Sequence, residues 1–271
     1  MAVLKALRQT PGSLQRNPVL FVPPLVLLLF EVPQMILQAI DPLLASVVSL
    51  LLSLAFVFVL PFFQGGIIGM ADEALDGRTS LHTFVRAGRS SYVSLLVAYL
   101  VLVVANVVLS IVAFFLAIPI GFVFFSDGRG GSGFVLLAVV AGIAAIVGLA
   151  YLLFVFLIQF YGQAIVIDGV GASDGLKRSV SVVRHHLVST LGYSILVAIL
   201  GGIAGIVFAV ASALLSPRSS TAIGLPHLST AGVAGAIVVM LLLGSLFGGF
   251  FGVYSVAFYR TVADRAPRDT I

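Results

Sequence analysis

Apolar residues in this chain fall into six long runs, near 19–40, 43–70, 92–124, 134–167, 187–215 and 232–259, each bounded by a recognisable polar break. A helix needs about 20 apolar residues to cross the roughly 30 Å hydrocarbon layer of a bilayer. Every run meets that length, so the pattern predicts an all-α polytopic membrane helix bundle with six transmembrane helices. The third and fourth runs exceed the need. Tilting, a kink at Pro119 or helix continuing past the bilayer takes up their excess.

The breaks alternate in charge. Those at 41–42, 126–133 and 216–231 are short or rich in Gly, Pro and Ser, and among them carry only the cations Arg129 and Arg218. The others are basic: Lys5, Arg8 and Arg16 precede the first run, and Arg78, Arg86 and Arg89 separate the second from the third. Lys177, Arg178 and Arg184 separate the fourth from the fifth, and Arg260, Arg265 and Arg268 follow the sixth. Cations are retained on the cytoplasmic side of a membrane, so this asymmetry predicts cytoplasmic N and C termini in the cell membrane. The lead before the first run is basic and contains proline, with no small-residue cleavage site. That run is therefore read as a retained span rather than a signal peptide.

Composition agrees with the runs and narrows the chemistry. Of 271 residues, 61% are hydrophobic and 9% charged, against about 45–50% and about 25% in soluble domains; no soluble core hides that much apolar surface. The absence of cysteine removes disulfides, thiolate metal sites and cysteine nucleophiles. No phosphate-binding loop, dinucleotide fingerprint or basic-aromatic nucleic-acid surface is present, and topology accounts for the cations. No cofactor, metal or nucleic-acid partner is expected.

The basic connectors resemble one another. Residues 81–96 (LHTFVRAGRSSYVSLL) set above 176–191 (LKRSVSVVRHHLVSTL) share six identities in sixteen positions, pairing Arg89 with Arg184 and Ser94 with Ser189. Arg16 fits the same place more loosely. The second helix of each hairpin also closes on aromatics and glycine, at Phe62-Phe63-Gln64-Gly65, Phe160-Tyr161-Gly162 and Phe250-Phe251-Gly252. These features are read as three parallel hairpin repeats in one membrane domain, spanning 1–71, 72–167 and 168–260 with a short tail at 261–271. Chance likeness among hydrophobic helices is the competing account.

Within each connector, helical spacing puts Leu176, Val180, Val183 and Leu187 on one stripe and Lys177, Arg178, Ser181, Arg184 and His185 opposite. Leu81, Val85, Gly88 and Tyr92 stand likewise against His82, Arg86, Arg89 and Ser90. Amphipathic helices of this kind lie in the membrane interface with cations toward anionic headgroups, which makes Arg16, Arg86, Arg89, Lys177, Arg178 and Arg184 headgroup candidates. An ordinary cap packed on the bundle obeys the same pattern.

Inside the first run, Glu31, Gln34 and Gln38 share a helix face at i, i+3 and i+7. A carboxylate at membrane depth is costly and Pro33 frees a backbone carbonyl beside it, so this stretch is expected to face protein or water, with Asn106 as candidate partner. Either an ion or small-polar-ligand site or a helix-fastening hydrogen bond follows. Gly65 and Gly69, Gly201 and Gly205, and Gly244, Gly248 and Gly252 recur every fourth residue, as close helix packing requires. Gly171-Ala172-Ser173-Asp174-Gly175 matches the G-x-S-x-G pattern of serine hydrolases, but it precedes a basic helix, which Ser173 is expected to cap while Asp174 suits the positive end of its dipole. His185 and His186 are adjacent and diverge by about 100° on a helix, poor geometry for one metal.

The segment 168–191 (DGVGASDGLKRSVSVVRHHLVSTL), an acidic turn leading into a small-residue basic helix and then a span, resembles the connector of six-span membrane proteins. Among these are the membrane domain attached to some glycerophosphodiester phosphodiesterases and its stand-alone relatives. The whole chain, including its opening LKALRQTPGSLQRNPVLFVP, is similar to a stand-alone haloarchaeal membrane family of unknown function. The resemblance implies a helical membrane module. It does not carry over the phosphodiesterase chemistry, whose soluble barrel has no counterpart here. The expected function is thus a non-enzymatic integral membrane module organising lipid, with anionic headgroups among its ligands, or a membrane partner complex that includes a second copy of itself. The alternative is a small transporter or channel built around Glu31.

Overall fold

A computed structural model describes residues 2–125, 131–215 and 229–263. Arg129, Arg218, Arg265 and Arg268 lie outside the described residues. The described residues are helical and contain no strand. Among the described residues, five helices are long and apolar enough to cross a membrane: Leu43–Asp76, Tyr92–Ile118, Leu137–Ile167, Leu187–Ala211 and Gly232–Ala263. A sixth span arises if the bent pair Ala2–Arg16 and Pro18–Gln34 is counted as one.

The first hydrophobic run is not a continuous helix. Helix α1 (Ala2–Arg16) turns through 100° at Asn17 into a short 3-10 helix (Pro18–Phe21). The chain continues as α2 (Val22–Leu29) and then, after a break at Phe30 and Glu31, as α3 (Val32–Ile40). Proline is the cause of the break, because Pro33 has no N–H for the carbonyl one turn earlier and its ring crowds that turn. The backbone tightens to i−3 bonds there, with Phe30 N donating to Leu27 O (3.2 Å) and Glu31 N to Leu28 O (3.0 Å). Asn17 fixes the sharp corner from a distance. Its side-chain nitrogen donates to Gly77 O (2.9 Å), and its side-chain oxygen accepts from Thr79 N (2.9 Å).

Asp41 then starts α4 (Pro42–Asp76), its carboxylate accepting from the Leu43 and Leu44 amides at 3.0 and 3.1 Å, as helix N-caps do. At 35 residues, α4 is about 50 Å long and outreaches the hydrocarbon layer. Next come α5 (Leu81–Ser90), α6 (Tyr92–Phe125) and α7 (Gly131–Ile158). The fourth run is also interrupted: α8 (Tyr161–Ile167) follows a break at Gln159 and Phe160. Ser179, from α9 (Ala172–His185), stitches that break by accepting from Phe160 N (3.0 Å) and donating to Leu157 O (2.9 Å). The chain finishes with α10 (Leu187–Leu215) and α11 (Thr230–Ala263).

Burial is concentrated at one end, where α1, α5, α8, α9 and the adjoining ends of α4, α10 and α11 form a base. Phe160, Tyr193, Phe258 and Tyr259 pack there with ring centroids 4.5–5.9 Å apart. A second cluster sets Met70, Ala71 and Ala74 of α4 against Phe84 of α5 and Val253 and Val256 of α11. Away from the base the helices touch little. In the most apolar 18-residue stretch of Tyr92–Ile118 none of the residues is buried, and in those of Leu43–Asp76, Leu137–Ile167 and Leu187–Ala211 only 6% are.

Glycine packing is selective. A methyl group on Gly69 would overlap Ala87 Cβ, one on Gly244 would come within 2.5 Å of Leu28 Cδ1, and one on Gly248 within 2.6 Å of Pro24 Cβ. Gly65 and Gly252 are similarly enclosed, by Leu95 and Ile67. Gly201 and Gly205 depart from the expected close approach, since nothing lies within 4 Å of where their side chains would begin.

Candidate functional site

The connectors are held to the bundle by a third face that hydropathy periodicity does not reveal. In α5, Thr83, Phe84 and Gly88 are buried, while Leu81 and Val85 stay exposed. In α9 the buried residues are Gly175, Arg178, Ser179, Val182 and Val183. Small residues are nearly neutral in hydropathy, so a stripe of them leaves little trace in an apolar-polar pattern.

Arg178 is the main correction among the headgroup candidates. Its side chain is 6% exposed, with Nε donating to Asp168 Oδ2 (3.2 Å) and Nη2 to Ala263 O (3.4 Å). Tyr259 OH donates to the same Asp168 oxygen (2.7 Å). The guanidinium thus ties the middle of α9 to the end of α8 and the end of α11 and is withdrawn from any headgroup. A second lock, Arg260, donates to Asp76 through two nitrogens (2.7 and 2.8 Å) and also to Asp72, joining the ends of α11 and α4.

The other candidates are exposed. Arg86 lies 3.8 Å from Glu73, and Lys177 lies 3.3 Å from Asp174. Arg16 donates to Gly12 O (3.2 Å) and lines a polar pocket of about 470 Å³ with Lys5, Arg8, Asp76 and Arg260.

Arg89 and Arg184 hold a different place, each on an apolar groove. The first groove, about 660 Å³, lies between Val26 and Phe30 on one side and Phe58, Val59, Phe62 and Phe63 of α4 on the other, with Arg89 and Tyr92 completing it. Tyr92 OH donates to Phe58 O (3.2 Å). The second, about 610 Å³, lies between Val101 and Leu102 of α6 and Phe154 and Ile158 of α7; Leu176, Val180 and Arg184 of α9 close it, beside Lys177 and His185. In both, the walls come from the two helices of one hairpin and the arginine from the connector that follows. The wall residues were invisible as site residues in the sequence because aromatic and branched side chains are ordinary in any span.

The intramembrane polar residues do not gather. Gln34 Nε2 donates to Ser49 Oγ (3.0 Å), fastening α3 to α4. Asn106 pairs with Tyr151 OH (2.9 Å) across α6 and α7, and donates to Leu102 O, so it is no partner of Glu31. Glu31 sits half-buried in the break between α2 and α3, and its carboxyl group makes no hydrogen bond or ion pair among the described residues. The Gln38 side chain lies outside the described residues. Glu31→Gln is therefore expected to leave stability within about 0.5 kcal/mol of the parent, as for unpartnered positions generally; a larger loss in an unfolding measurement would reveal a charge-dependent role.

The residues of the G-x-S-x-G match form the start of α9, but Gly171 and not Ser173 occupies the N-cap position; Ser173 lies inside the first turn beside Asp174. Negative charge is favoured at that end of a helix.

Across residues 1–262 the chain matches the model of a domain of unknown function, DUF7847. No curated protein and no solved structure matches it.

Proposed function

The chain belongs to the DUF7847 family of domains of unknown function, and from its own residues we propose that it is a non-enzymatic membrane module that holds anionic lipids in its two lateral grooves. The observation that carries this reading is the common placement of Arg89 and Arg184, each at an apolar groove able to take an acyl chain while the cation takes the phosphate. Apolar walls with one convergent charge are what an amphiphile needs from a binding site.

A repeat makes the same site twice. Val59 and Phe63 in the first groove correspond to Phe154 and Ile158 in the second at the spacing that relates Arg89 to Arg184. The buried positions Thr83, Phe84 and Gly88 correspond in the same way to Arg178, Ser179 and Val183. In this reading the base lies at the cytoplasmic surface of the cell membrane with both termini, as the cation distribution requires, and α5 and α9 lie in the interface. The partner in this reading is a membrane protein or a second copy of the chain. Transport around Glu31 draws no support from the geometry, since Gln34 and Asn106 bond to Ser49 and Tyr151 rather than to Glu31.

The test uses the full chain in nanodiscs of phosphatidylcholine containing phosphatidylglycerol, with retained lipid identified by native mass spectrometry. The parent is expected to enrich phosphatidylglycerol, and Arg89→Gln and Arg184→Gln each to weaken its retention about fivefold, the effect of roughly 1 kcal/mol per interfacial cation. Arg86→Gln, which lines neither groove, should leave retention unchanged. Equal retention in all four proteins overturns the proposal.

A further inference from the structure

A cavity of about 480 Å³ lies among all three hairpins, with walls from α2, α4, α6, α8, α10 and α11. It differs in chemistry from the lateral grooves, because no charged side chain lines it. Its hydrogen-bonding residues are Gln64, Tyr99, Gln163, Tyr193 and Ser255, set among aromatic and aliphatic walls that include Phe63, Phe251 and Leu27.

Gln163 is the decisive residue. It is only 8% exposed, yet its amide makes no hydrogen bond among the described residues. The amide atoms themselves keep access, so they can take a partner entering the cavity, and a carboxamide left unmet among apolar walls is costly. Gln163 lines the cavity, so the missing partner has to come from inside it. Gln64 reinforces the point. Its Oε1 accepts from Tyr161 OH (3.0 Å), which orients the amide, and its Nε2 packs so closely over Gly162 that a methyl group there would meet it at 2.5 Å. The Gln64 amide thus lies against the backbone next to Gln163, and both carboxamides line the pocket.

We propose that this cavity binds an uncharged amphiphile, a lipid whose hydroxyl or carbonyl head hydrogen-bonds Gln163 and Gln64 and whose apolar body lies against the aromatic walls. A charged head is selected against, because it would lose its hydration with no counter-charge to meet it. The site is separate from the grooves at Arg89 and Arg184 and has the opposite charge preference.

The test uses the full chain in phosphatidylcholine nanodiscs with dioctanoylglycerol as probe and dioctanoyl phosphatidic acid as the charged comparator, read by a photoreactive analogue of the probe and peptide mapping. Labelling is expected on α8 and α10, with phosphatidic acid a poor competitor. Gln163→Leu should weaken binding about fivefold, the range for one neutral hydrogen bond. Val197→Phe, which adds a ring at the cavity wall, should abolish it while leaving the thermal midpoint within a few degrees. Arg89→Gln should leave it unchanged, which separates this site from the lateral grooves. Labelling indifferent to both cavity variants, competition by phosphatidic acid as effective as by dioctanoylglycerol, or a cavity occupied by water alone overturns the proposal.

Discussion

Replacing Arg178 by alanine is expected to lower the stability of the folded chain by about 3 kcal/mol, the low end of the range for removing one partner of a buried ion pair. The low end applies because the Asp168 side chain is 25% exposed and water takes up part of the orphaned charge. Two further bonds go with the guanidinium or lose their support: Nη2 to Ala263 O disappears, and the Tyr259 hydroxyl is left as the neutral donor to Asp168. Chemical unfolding in detergent micelles provides the measurement. The double variant Arg178→Met with Asp168→Asn should recover most of the loss, because it removes both charges and leaves no buried carboxylate without a partner. A single-variant loss below about 1 kcal/mol would show that the lock between α9 and α11 contributes little.

Gly69→Ala carries the second large effect. Its added methyl overlaps Ala87 Cβ, on a helix already pressed to α4 by Phe84 packing against Phe62 and Phe63 at 5.4 and 5.2 Å between ring centroids. Overpacking of this kind costs about 2 kcal/mol. Ala87→Gly removes the obstructing atom, so the pair Gly69→Ala and Ala87→Gly should recover the overlap cost, and since alanine at 69 gains about what glycine at 87 loses in helix propensity, the double variant should return to within about 0.5 kcal/mol of the parent. Gly201→Ala is the contrast. With nothing within 4 Å it should be neutral or gain about 0.5 kcal/mol from helix propensity. A four-variant unfolding series tests both statements, and equal losses at Gly69 and Gly201 would contradict the packing at Ala87.

Sequence pattern reached the long helices because the feature that defines them, sustained apolar character, is local. The cap at Asp41 is just as local, since its carboxylate meets amides two and three residues on, yet the pattern marked 41–42 only as a break between runs. The corner at Asn17 was out of reach. Its side chain is held by Gly77 and Thr79, some 60 residues away, and no local rule connects them. Periodicity also misassigned Arg178, since hydropathy sorts residues by preferred solvent and assumes every cation seeks water. Asp168, Tyr259 and the Ala263 carbonyl supply a substitute for water that only the tertiary fold brings together. The likeness of Arg89 to Arg184 was legible because the two connector segments share residues at matching positions; the groove walls and Gln163 were not, because a void has no sequence of its own.

The sparse contact between the long helices beyond the base has a mechanical consequence. Arms that bury so little of themselves in one another take their spacing and inclination from whatever hydrocarbon surrounds them, so the thickness of the host film becomes a variable of the fold. A thin film should spread the arms and a thick one draw them upright, while the clasped aromatic foundation keeps its shape throughout.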